Sequence, residues 1–203
     1  SGLVGSEMCI RDSSRVFVMQ DPPQHTRVRD LVASALSLKR ITEMAPRIRR
    51  LAQQQLQKFA EREDANFITD FAYLFPTLVM CDMLGMQEGE FSWELLAELN
   101  QAVADTFPVF ETRALEPDEL ALANRQMEFL TEFFDELFQR RKKHPRDDLT
   151  TAMVSAGDGE DALTPEELST SVIGLFGAGF ETTAHMIGNC LLYTSDAADD
   201  ETS

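Results

Sequence analysis

Residues 161–189 read DALTPEELSTSVIGLFGAGFETTAHMIGN, and this stretch constrains the chain more than any other. Thr164 is placed to cap a helix, Pro165 to occupy its first position and Glu167 to return the capping-box bond. From Pro165 to about Asn189 that helix would be roughly 37 Å long at 1.5 Å per residue, enough to cross the middle of a domain. Leu168, Val172, Ile173, Leu175, Phe176, Phe180, Met186 and Ile187 surround its axis, the pattern of a helix buried on all sides. Gly174, Gly177 and Gly179 interrupt it, each less favourable than Ala by about 1 kcal/mol. Glu181, Thr182 and Thr183 follow at once, so the spacing predicts close approach of a ligand to the backbone.

The two ends of the chain are expected to lie outside the functional unit. Residues 7–13 can be encoded by a DNA string whose reverse complement encodes residues 190–195, so the ends read as one element on opposite strands, similar to translated sequencing adapters. Residues 1–13 and 190–203 are therefore set aside as adapter-like, leaving 14–189 as the unit. The chain carries 35 acidic against 18 basic residues, a net charge of −17. An acidic surface of this kind argues against nucleic acid as a partner. With Cys9 and Cys190 in the excluded ends, Cys81 stands alone, no disulfide framework is expected, and a reducing cytoplasm is the predicted location. The most apolar run, 71–81, is too short to span a bilayer.

In order, the chain predicts an all-α array. RVFVM at 15–19 is β-like and is stopped by Asp21-Pro22-Pro23, which sets up a helix over about 24–35. A second helix follows capping residues in 37–42 and runs to about Ala60, with Pro46 tolerable only near its first turn. A third spans about 66–84, kinked at Pro76 or truly starting there, and closed by Gly85. A fourth covers 91–107, a fifth 117–142 and a sixth about 148–155, with AGDGED as a surface turn before the long helix. The basic run Arg140-Arg141-Lys142-Lys143 is expected to complement a helix C-terminus in solvent.

Two places are candidates for chemistry. In DPPQHTRVR, His25 and Arg29 are four residues apart and share a helix face near a helix N-terminus, an arrangement suited to a pair of carboxylates. Spacing alone leaves open that both are ordinary solvated residues. In Ala178-Gly179-Phe180-Glu181-Thr182-Thr183 the small residues admit a ligand, and the Thr182 hydroxyl is within reach of both the Ala178 carbonyl and anything bound there. The alternative is that Thr182 only bonds back to its own helix and Glu181 faces solvent or a base.

Together the two stretches resemble a known family. DPPQHTRVRDLVASAL looks like the helix C signature of the cytochrome P-450 haem-thiolate monooxygenases, and LFGAGFETTAHMIGN looks like their helix I with its A-G-x-[DE]-T-T motif. PTLVMCDMLGM resembles the family's helix E, and HPRDDLTTAMV its turn into helix H. The resemblance implies a partial fold of that family, from helix C through helix I, of a soluble bacterial type. It implies haem b (iron protoporphyrin IX) as cofactor, with His25 and Arg29 on its propionates, Arg suiting a carboxylate through bidentate bonds. Ala178 and Gly179 would line the groove for dioxygen, and Gly174 and Gly177 would face the substrate chamber. Thr182 and Glu181 would act in proton delivery. An apolar small molecule would be the substrate and a ferredoxin-type protein the electron donor, with Arg27, Lys39 and Arg40 as candidates for its docking face. No membrane is implied.

The resemblance also predicts a gap. No E-x-x-R occurs in the chain, and no Cys has the Phe- and Gly-rich neighbourhood of the family's haem-ligand loop. The C-terminal haem-ligand half is thus expected to be missing, no residue here is assigned as metal ligand, and this polypeptide alone is expected to be inactive, since the thiolate favours O–O cleavage. Two alternatives stay open: a non-enzymatic all-helical ligand-binding domain, and a peroxide-using member of the same family.

Overall fold

The computed structural model describes residues 17–86, 91–110, 113–157 and 159–201. Among these residues there are helices and turns and no strand. Seven α-helices follow one another: α1 (Gln24–Ala35), α2 (Leu38–Ala60), α3 (Leu74–Met83), α4 (Trp93–Thr106), α5 (Pro117–Lys143), α6 (Leu149–Val154) and α7 (Pro165–Glu201). A π turn over Ile68–Ala72 leads into α3. Short 3-10 turns lie at Phe17–Met19, Phe107–Phe110 and Gly159–Asp161. The β-like reading of the first run is corrected over Phe17–Met19, which packs as a 3-10 turn on α1 and α7. No described strand is there to pair with it; Arg15 and Val16 lie outside the described residues.

The helix ends follow from local chemistry. Ser37 Oγ accepts from Arg40 N at the start of α2, Ser92 Oγ from Leu95 N at α4, and Asp148 Oδ1 from Thr151 N at α6. Each satisfies a backbone donor that the first helical turn leaves unpaired. Thr164 and Glu167 form the expected reciprocal cap of α7, with N–H donors at 3.2 and 3.0 Å. Pro76 sits in the first turn of α3, where its missing N–H costs nothing. Pro46, by contrast, lies inside α2 and not in its first turn. The ring is exposed, so the lost hydrogen bond lies on the solvent side of the helix.

Gly85 ends α3 at φ +77°, and a second constraint fixes it as glycine. A Cβ there would stand 2.0 Å from Asp148 Oδ2. That carboxylate belongs to a buried knot in which Arg141 Nε donates to Asp148 Oδ2 and an Arg141 terminal nitrogen donates to the Gly85 carbonyl, both at 2.5 Å. Thr150 Oγ1 adds a 2.7 Å bond to the Leu84 carbonyl. The expectation that Arg141 is solvated is thereby corrected: the end of α3 and the start of α6 converge on it, and the Gly85 carbonyl and Asp148 carboxylate need a donor that can reach them without water.

α7 runs through the middle of the array against α3, α4 and α5. Its inner face carries Leu168, Val172, Phe176, Phe180 and Ala184, all buried. Phe176 meets Phe134 of α5 edge-on at 5.9 Å between centroids, and Phe180 lies 5.5 Å further along. Full burial of one such Phe contributes roughly 2 to 3 kcal/mol. The helix is not buried all round, however: Ala178, Thr182, Met186 and Asn189 are exposed. It also continues past Asn189 to Glu201, since residues 190–201 contain neither glycine nor proline to stop it.

Candidate functional site

Three exposed residues of α7 fall on one line with the half-buried Gly174. Gly174, Ala178, Thr182 and Met186 are four apart and so stack along one side of the helix, opposite the Phe176 and Phe180 seam. At Ala178 nothing projects beyond a methyl group, which leaves a shallow open strip in an otherwise apolar helix. Thr182 Oγ1 donates to the Ala178 carbonyl at 2.7 Å, and Thr183 Oγ1 to the Gly179 carbonyl at 2.8 Å. A hydroxyl has one proton, so in this arrangement the Thr182 oxygen offers the strip its lone pairs and not a donor. Glu181 is half-buried beside it, and among the described residues it makes no hydrogen bond or ion pair.

The glycines divide by what approaches them. A Cβ on Gly179 would lie 2.3 Å from Met80 Sδ, so this residue is small because α3 presses a thioether against it. A Cβ on Gly177 would lie 2.7 Å from Val103 Cγ1 of α4. At these two positions close side-chain packing offsets the helix cost of glycine. Gly174, Gly177 and Ala178 also border an apolar cavity of about 340 Å³, closed opposite by Val103, Phe107, Phe110 and Met127. Thr106 and Thr170 line it too, but their hydroxyls donate to Val103 O at 2.7 Å and Glu166 O at 2.8 Å. The cavity therefore presents no free hydroxyl donor from either threonine.

His25 and Arg29 lie on α1, His25 half-buried and Arg29 exposed. Among the described residues Arg29 has no hydrogen-bonding or charged partner, so its guanidinium is available. The other predicted basic residues are engaged. Arg27 forms an ion pair with Glu167 and reaches the Ala162 carbonyl at 3.3 Å, tying α1 to the start of α7. Lys39 pairs with Glu43 along α2 at 3.8 Å, and Arg40 with Asp147 at 3.6 Å.

Sequence reasoning missed Met80 and Tyr73. The Tyr73 hydroxyl lies 2.9 Å from His185 Nε2 with the rings edge-on, which braces the C-terminal half of α7 on the entry to α3. Nothing in local spacing signals either contact, because both depend on how α3 crosses α7. Burial pushes the Cys81 thiol up to about 12, with neighbouring Asp82 adding to the shift, so Cys81 is an inert part of the core.

Comparison with known proteins agrees with this architecture. The family model described as Cytochrome P450 matches residues 9–196. The chain is 32% identical over 174 residues to the mycinamicin IV hydroxylase/epoxidase of Micromonospora griseorubida, a match covering 85% of this chain and 41% of that protein. It is 30% identical over 172 residues to cytochrome P450 107B1 of Saccharopolyspora erythraea, covering 85% of this chain and 39% of that protein. Among solved structures, P450BioI in complex with hexadec-9Z-enoic acid ligated acyl carrier protein superposes with a TM-score of 0.81 at 24% identity. That superposition covers 95% of this chain and 48% of the other, and it speaks to the fold. The chain spans less than half the length of each of these proteins.

Proposed function

The chain belongs to the cytochrome P450 family, and from that premise we propose that it forms one wall of the active site of a haem-dependent monooxygenase acting on an apolar small molecule. The observation that carries this reading is the open Ala178 and Thr182 strip continuing directly into the apolar cavity at Gly174 and Gly177. A flat, largely apolar cofactor fits a strip with no side chain larger than a methyl at its centre. Arg29, with no partner among the described residues, and His25 one turn before it would hold the propionates. Gly179 is filled by Met80, so of the two residues assigned to the dioxygen groove Ala178 is the one that faces open space.

When bound, haem would supply the activation of dioxygen, held by His25 and Arg29 against the strip. This chain's residues bind, position and carry protons. The Thr182 oxygen, its own proton committed to Ala178 O, accepts a hydrogen bond from a protonated group on the strip and so holds that proton in place. Glu181, without a fixed partner, is free to swing between solvent and the strip and so to resupply protons. The cavity binds the substrate by apolar contact and excludes water, and its threonines do not compete for polar substrate groups. A ferredoxin-type donor would supply electrons and the cytoplasm is the proposed location. Of the basic residues considered for docking, Lys39 retains the most exposure.

The test is coupling in the complete enzyme, measured as product formed per reducing equivalent consumed. Thr182→Ala and Glu181→Gln are expected to lower this ratio while reductant consumption continues. Undiminished coupling in both variants would remove their assigned roles.

A further inference from the structure

Beside the strip, α7 carries a second line of residues four apart, Gly177, Glu181 and His185. Gly177 is pressed on Val103 of α4, and His185 Nε2 is bonded to the Tyr73 hydroxyl at the entry to α3. Glu181 lies between these two contacts with no hydrogen bond or ion pair of its own among the described residues. Tyr73 is itself fixed: Thr77 Oγ1 donates to its carbonyl at 2.8 Å and accepts from Asn100 of α4 at 3.0 Å. At about 100° per residue, His185 stands about 40° round the axis from Glu181 and about 60° from Thr182, one turn further on. Helical side chains lean toward the N-terminus, so His185 leans toward both. His185 is exposed and Glu181 half-buried, so the imidazole is the member of the pair in readier contact with water. The π turn also packs here, with Ile68 beside Gly188, but its one acid, Asp70, is paired with Arg62 at 3.2 Å.

Given the proton-supply role of Glu181, we propose that His185 is its proton donor and that Tyr73 positions the imidazole for the transfer. Imidazole is the side chain suited to taking up and releasing a proton near neutrality. The imidazolium donates from Nε2 to the Tyr73 oxygen, which leaves Nδ1 as the nitrogen that exchanges. Its Nδ1 proton passes to the Glu181 carboxylate, giving a carboxylic acid and a neutral imidazole that keeps its Nε2 proton on Tyr73. Nδ1 then takes a proton back from hydronium, so one proton has moved inward from solvent and His185 is restored. A helix turn is the length of this transfer, and it requires rotation of the Glu181 side chain alone.

The experiment has two arms. In the chain with isotopically labelled imidazole nitrogens, long-range proton–nitrogen correlation spectra read each ring nitrogen of His185 separately. Tyr73→Phe is expected to shift the Nε2 resonance and Glu181→Gln the Nδ1 resonance; an Nδ1 resonance indifferent to Glu181→Gln would overturn the proposal. In the complete enzyme, His185→Phe keeps a ring for the edge-on contact with Tyr73 and carries no proton. Product formed per reducing equivalent is expected to fall about twofold or more, and the solvent deuterium isotope effect on product formation to rise by a similar factor. Tyr73→Phe, which leaves the imidazole free to turn, is the second variant and is expected to fall between His185→Phe and the parent enzyme. Lowered coupling with an unchanged isotope effect would reduce His185 to a packing contact and overturn the proposal. If Glu181→Gln lowers coupling and His185→Phe does not, His185 is excluded while the role of Glu181 stands; if neither lowers it, both roles fall.

Discussion

Arg141 Nε donates to Asp148 Oδ2 at 2.5 Å, and the two side chains are only 3% and 4% exposed. The pair therefore has no water to fall back on if either partner is lost. Arg141→Ala leaves a buried carboxylate and a bare Gly85 carbonyl, and is expected to cost about 3 to 5 kcal/mol. Urea unfolding of the variant against the parent chain measures it. A loss below about 1 kcal/mol, the range of exposed pairs, would show the knot to be dispensable.

Gly179 and Met80 are coupled across α7 and α3. Gly179→Ala puts a methyl group against the Met80 thioether and is expected to destabilise by about 1 to 3 kcal/mol, as overpacking does. Met80→Ala in the same chain removes the obstruction. A double-mutant cycle should then show a favourable interaction between the two substitutions, whereas strict additivity would mean that Met80 already moves aside at no cost.

Glu119 gives a dependence on acid. Hydrogen bonds from Arg113 hold its carboxyl at about 2 in place of 4.5, with the Glu116 N–H adding to the effect. Because the folded value is depressed, the contribution is complete above the ordinary value of 4.5 and is lost as pH falls through about 2. Thermal midpoints of Glu119→Gln and the parent chain should therefore differ most above pH 4.5 and converge toward pH 2. A gap that widens on acidification would contradict this assignment.

Cys81 and Cys190 differ in reactivity. Cys81 is 1% exposed with its thiol pushed up to about 12, while Cys190 is exposed. Iodoacetamide near pH 8 should label Cys190 in the folded chain and reach Cys81 only after denaturation, as peptide mass spectrometry will show. Labelling of both at equal rates would mean that the α3 packing opens readily.

The contrast between Thr164 and Arg141 shows what could be read without coordinates. Thr164 and Glu167 are three residues apart, and a capping box is decided within one turn, so the start of α7 was legible. The closing role of Gly85 was legible for the same reason, although the carboxylate of Asp148 pressing on it was not. Arg141 sits in a run of four bases that reads as a solvated helix end, and only the convergence of α3 and α6 turns it inward. The open strip was hidden differently. Met186 is as apolar as Phe180, yet one is 59% exposed and the other 2%. Hydrophobicity registers both as core, because an uncovered apolar helix face has the same composition as a covered one.

α7 also acts as a phase reference. Gly174 and Gly177 border the cavity, Ala178 and Thr182 open the strip, and Phe176 and Phe180 anchor the core, all within about two and a half turns of one continuous helix. Each residue advances the helix by about 100°. Insertion of a single residue between Phe176 and Ala178 would rotate everything beyond it by that angle, turning Phe180 toward the side of the strip while Phe176 stayed in the core. Cavity and strip are therefore locked in angular register, and evolution can alter side chains along α7 far more easily than it can alter its length.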